Sequence, residues 1–114
     1  MTIYIAGPMT GYEDWNFPAF NEAAKTLRDY CNAETLILNP AETNDGDPNH
    51  ADGRKYYIRV SIENVLCADM LVLLDGWRES KGALLEVSIA RELEIPCIEY
   101  SKFMSFFPHG MLAR

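Results

Sequence analysis

Short unbroken apolar runs alternate along this chain with longer stretches in which apolar residues recur at helical spacing. The first run, TIYIA at 2–6, is β-branched and aromatic and stops at Gly7-Pro8, so it predicts a strand closed by a turn. Phe20, Ala23, Ala24, Leu27 and Cys31 then share one face of a helix ending near Tyr30, with Asn16 as N-cap or near-cap and Pro18 in the first turn. Residues 35–38 predict a second strand, stopped by Asn39-Pro40. The stretch 41–54 is rich in turn formers and reads as a mobile loop over the domain, a lid. Ile58, Ile62, Val65 and Leu66 form the face of the next helix. The run at 70–74 predicts a central strand, 81 to about 94 a helix stopped by Pro96, and 95–100 a fourth strand. Phe103, Met104, Phe106 and Phe107 make the tail too apolar to remain in water, so it packs on the domain or on a second subunit.

The order is β-α-β-α-β-α-β, and the strands are apolar throughout rather than alternating. That is the mark of parallel strands covered on both sides. The predicted fold is a single α/β domain over residues 1–114, Rossmann-like and of flavodoxin type. It has three layers and a four- to five-stranded, mainly parallel sheet.

Composition narrows the partners. A net charge of −7 without a Lys/Arg cluster argues against nucleic acid polymers and acidic membranes. A small anion remains compatible, because a helix N-terminus and one or two basic groups suffice to hold it. Cys31, Cys67 and Cys97 are odd in number, lack CxxC spacing and sit in apolar segments, which reads as buried thiols in a reducing cytoplasm. No apolar run approaches membrane length.

One polar residue breaks the pattern. With Glu86 at the front of its helix, Gly82, Ala83, Ile89, Ala90 and Leu93 all fall within about 60° of it at 100° per residue. A carboxylate in the middle of an apolar stripe is expensive unless it is paired or used. Glu86 also lies early in its helix, near the carboxyl end of the preceding strand, where open α/β sheets bind ligands. Gly82, one turn ahead, leaves room on that face. The loops expected at that edge supply the candidate ligand contacts Gly7, Pro8, Met9, Asn16, Asp75, Gly76, Trp77, Ser80 and Gly82. Trp77, Tyr12 and Trp15 offer an aromatic wall for a flat ring, or simply core. Neither GxGxxG nor GxxxxGK[ST] is present, and no cofactor is expected.

TIYIAGPMTG at the start, NFPAF at 16–20, Asn39-Pro40, Ala68-Asp69 and DGWRESKGALLE at 75–86 resemble the nucleoside 2-deoxyribosyltransferase-like superfamily. More narrowly, the chain looks like an uncharacterised bacterial and phage branch of that superfamily, near the 2′-deoxynucleoside 5′-monophosphate N-hydrolases. The resemblance implies cleavage or transfer at the N-glycosidic bond of a nucleoside or nucleotide, with Glu86 as nucleophile and Tyr4 orienting it. It implies homo-oligomers that complete their sites across subunits. It sets Ser80 against a 5′-phosphate, where the transferases carry an acid for the 5′-hydroxyl. Ser80 as N-cap alone and Tyr4 as a core tyrosine are the structural alternatives.

The chain departs from that pattern at Ser61, where the superfamily carries an aspartate that protonates or holds the leaving base. Serine is no carboxylic acid, which leaves open a nucleotide-binding module that does not cut. Asp75 and Asp14 are possible substitutes for it. Asp69 is expected at a helix–strand junction. The segment DGDPNH at 45–50 begins like a calcium loop, but His50 replaces the required glycine and Tyr56 the final glutamate, so no metal site is expected. His50 and His109 read as surface residues.

Overall fold

Four strands, β1 (Thr2–Ala6), β2 (Leu36–Leu38), β3 (Met70–Leu73) and β4 (Cys97–Glu99), form one parallel sheet in the order β2-β1-β3-β4. The computed structural model describes residues 1–42 and 53–106. Helices α1 (Phe17–Tyr30), α2 (Gly53–Cys67), α3 (Lys81–Glu92) and α4 (Tyr100–Ser105) cover the sheet. The chain steps from β1 to β2 in one direction and then turns back over β1 to reach β3 and β4. Crossovers of one hand then require α1 on one face and α2 and α3 on the other, which is the arrangement found. The result is the three-layer, Rossmann-like fold of the flavodoxin strand order.

Alternation along β1 sorts the two layers. Ile3 and Ile5 join Phe20, Ala23, Ala24 and Leu27 of α1, with Val72 and Phe103, on one side. Tyr4 and Ala6 join Val65 of α2, Leu71 and Leu73 of β3, and Ala83, Val87 and Ala90 of α3 on the other. The bottom of the sheet is tied by Asp69, whose carboxylate accepts the Thr2 backbone N–H at 2.7 Å, the junction role expected of it.

Several local expectations are corrected. Leu66 is 57% exposed, because Val65 takes the core position at the end of α2 and Leu66 falls 100° away. Leu93 is exposed, since α3 ends at Glu92 and the chain turns off its face. Cys67 is exposed, and Cys31 and Cys97 are half-buried, so none of the three is a fully buried thiol. The apolar tail packs on the domain, as expected, and begins as a short helix. α4 lays Phe103 and Met104 on the β1/β3 layer and leaves Phe106 exposed. The predicted lid beyond Glu42, with His50 and the calcium-like segment, and Phe107 and His109 lie outside the described residues. No helix among the described residues is long and apolar enough to cross a membrane.

Candidate functional site

The chain leaves β1 toward one edge of the sheet and β3 toward the other, so the two loops part above the strand C-termini. Such a switch point is where open α/β sheets hold ligands. A cavity of about 720 Å³ opens there, within the usual range for small-molecule sites. The loop after β1 supplies Gly7, Pro8 and Met9, and the start of α3 supplies Ser80, Lys81 and Gly82. Tyr4, Tyr57, Ser61 and Glu86 line it as well, with Tyr12 and Trp15 among its aromatic walls.

Glu86 is 7% exposed, and its carboxylate accepts the Tyr4 hydroxyl at 2.5 Å. The two residues lie 82 positions apart, and both project from the α2/α3 side of the sheet. Burial drives the Glu86 pKa up to about 7, opposed by the hydrogen bond from Tyr4 and by the nearby Ser61 hydroxyl. Loss of water thus outweighs the donors, and the carboxyl titrates near neutrality. Burial first and the Glu86 charge second push the Tyr4 phenol well above its ordinary value, so it stays a donor. Ser61 points its hydroxyl at the Ile58 carbonyl at 2.9 Å while standing beside both groups. A serine hydroxyl rotates, so its one proton serves the Ile58 carbonyl or the Glu86 carboxylate, one at a time.

Ser80 caps α3, accepting the Ala83 N–H at 3.2 Å. The first turn of α3 therefore faces the cavity with its positive end, beside Lys81. A methyl group at Gly82 would meet nothing nearer than the Ser80 Oγ at 4.0 Å, so the glycine keeps an open wall rather than relieving a clash. Gly76 is different. Its φ of +88° strains any side chain there, whatever the space beside the movable Tyr12 hydroxyl.

Three expected contacts lie elsewhere. Trp77 is buried but does not line the cavity; its indole N–H donates to Glu99 at 3.2 Å, and Arg78 stacks on its ring 4.6 Å from the centroid. Its core reading is the one the fold uses. Arg78 is drawn to Glu99 in the same cluster. Asp75 is exposed outside the cavity lining. Asn16 holds the N-cap position of α1, as expected, but makes no side-chain cap bond; at a φ of 62° its side chain donates instead to the Pro8 carbonyl at 2.9 Å. With Asp14 and Trp15 it forms three successive residues of positive φ, a costly turn for side chains of this kind. That turn holds Trp15 against the cavity. Tyr57 was not anticipated as a lining residue. Its place four positions before Ser61 on one helix is the sequence signal that points to it.

No curated protein matches the chain. Among family models it matches Domain of unknown function (DUF4406) over residues 1–99, which spans the whole sheet from β1 through β4 and every Glu86 neighbour described above. The chain belongs to the DUF4406 family.

Proposed function

We propose that this protein cleaves, or transfers across, the N-glycosidic bond of a (deoxy)nucleoside 5′-monophosphate or nucleoside, with Glu86 as the nucleophile. The observation that carries this reading is the buried Glu86 carboxylate, held by Tyr4 at the wall of a ligand-sized cavity at the switch point. The likeness of the IYIAGP and GALLE segments to the nucleoside 2-deoxyribosyltransferase-like superfamily supports it. A carboxylate oxygen attacks the anomeric carbon, a C–O bond forms as the C–N bond breaks, and the base departs with the electron pair. Water or a second base then takes the sugar and frees the carboxylate. Tyr4 aims the reacting oxygen and favours its charged form. Ser80, Lys81 and the α3 N-terminus suit the phosphate of a monophosphate.

The test is base release from a panel of nucleosides and 5′-monophosphates, with and without an acceptor base. Glu86→Ala should lower it by about 10⁴-fold, the scale of losing a nucleophile. Ser61 supports a second reading, a nucleotide-binding module without turnover. Its hydroxyl stands within reach of the Ile58 carbonyl and of Glu86, and it brings no acid to the leaving group. Nucleotide binding without release from any substrate would decide for that module. Leu84, Leu85 and Phe106, all exposed, supply apolar area for a homodimer or higher homo-oligomer. A dilute sample that sediments as a monomer at full activity would sink that assembly. The free cysteines fit a reducing cytoplasm.

A further inference from the structure

The hydroxyls at the buried end of the cavity are not equally committed. Tyr4 donates to the Glu86 carboxylate and Ser61 to the Ile58 carbonyl, both strong oxygen acceptors. Tyr57 instead reaches from α2 to the sulfur of Met9, on the loop after β1. A thioether is a weak acceptor, so this is the contact a ligand displaces at least cost. Tyr57 and Ser61 stand one turn apart on α2, and both line the cavity with Glu86. Where serine is short and already faces strong acceptors in Ile58 and Glu86, tyrosine extends a phenol from the same helix face. Burial and the Glu86 charge both raise the phenol's pKa above its ordinary value, so it keeps its proton and acts by donating a hydrogen bond.

We propose that Tyr57 is the ligand-facing donor of this cavity, leaving Met9 on binding and donating to a ring nitrogen or carbonyl oxygen of a bound heterocycle. This assignment rests on reading the cavity as an N-glycosidic site. As the C–N bond breaks, its electron pair moves onto the departing base while Glu86 bonds to the anomeric carbon. The Tyr57 hydrogen bond spreads that growing charge without giving up its proton. The proton that neutralises the base comes from water, and a second water releases the sugar and restores the carboxylate. Tyr57 thus takes up from the adjacent turn the work for which Ser61 has no acid.

Tyr57→Phe removes the O–H and keeps the ring. Binding is measured calorimetrically on the full chain carrying Glu86→Gln, which leaves the glycosidic bond intact. The probes are deoxyadenosine and deoxycytidine 5′-monophosphates against base-free 2-deoxyribose 5-phosphate. Tyr57→Phe should weaken the nucleotides roughly tenfold and leave the sugar phosphate unchanged. Equal loss on both probes, no loss on either, or no binding of any probe before the substitution overturns the assignment. With Glu86 in place, Tyr57→Phe should slow release of natural bases about 10²-fold, the scale of losing one placed donor. A 4-nitrophenyl deoxyriboside, whose leaving group departs without a donor, should be slowed far less; equal slowing overturns the proposal. Probe discrimination by a protein that releases no base supports Tyr57 as the donor and removes only the glycosidic chemistry.

Discussion

The two faces of the sheet are built from the same strands and serve different ends. On the α1/α4 side, Ile3, Ile5, Phe20, Leu27 and Phe103 pack as an apolar layer. Its buried polar neighbour, Asn39, is satisfied at the margin by Asn21 and the Ala41 N–H. On the α2/α3 side, Tyr4, Ser61 and Glu86 are buried in the same layer as Val65 and Val87. Each β1 residue is assigned its face by the period of two, yet a single phenol in place of an aliphatic side chain gives one face a donor for a buried carboxylate. The comparison teaches where the expense lies. A carboxylate kept out of water costs folding energy, and the apolar layer behind β1 offsets it.

If the division of labour is real, the largest purely structural effect belongs to the apolar face. Leu27→Ala should cost about 2–5 kcal/mol in urea unfolding and leave nucleotide affinity unchanged. A loss of affinity in the still-folded variant would break the separation. Glu86 tests the other face through pH. Its pKa in the fold is about 7 against an ordinary 4.5, so the native state holds that proton more tightly than the unfolded chain. Its contribution is therefore fully present below about 4.5, falls as pH rises to about 7, and is flat above that. The whole fall is on the order of 3 kcal/mol. Glu86→Gln should flatten this slope in denaturant titrations at several pH values, and a slope that survives would assign it to another group.

Tyr4→Phe sharpens the contrast further. Without the phenol, the carboxylate loses a donor that favours its charged form. The acidic limb of the kcat–pH profile should then move upward by about one to two units, the equivalent of a hydrogen bond to a charged group. An unmoved limb would leave Tyr4 as packing alone. The smallest effect is expected at Gly82→Ala. The added methyl meets open space, so helix propensity should raise stability by up to about 1 kcal/mol in thermal melts. The same methyl narrows the cavity wall and should weaken ligand binding, which separates a glycine kept for a ligand from one kept for the fold.

What the chain determines by itself is local in origin. Apolar runs, Gly7-Pro8, Asn39-Pro40, the Ser80 cap and Pro96 set the element order and hence the parallel, three-layer fold. The 100° phase of α3 was enough to turn Glu86 inward, whereas Tyr4 was named only through the superfamily resemblance. Other outcomes belong to the tertiary structure. Trp77 and Tyr57 are both aromatic residues beside the expected site, yet one packs against Glu99 and Arg78 and the other faces the cavity. Asn16 left its cap for the Pro8 carbonyl, and α4 formed where Phe103 and Met104 found the β1/β3 layer. Periodicity and turn chemistry act over a few residues and are written in the sequence. The meeting of Tyr4 with Glu86, or of Tyr57 with Met9, joins positions 82 and 48 apart, and only the packed sheet brings such groups within hydrogen-bonding distance.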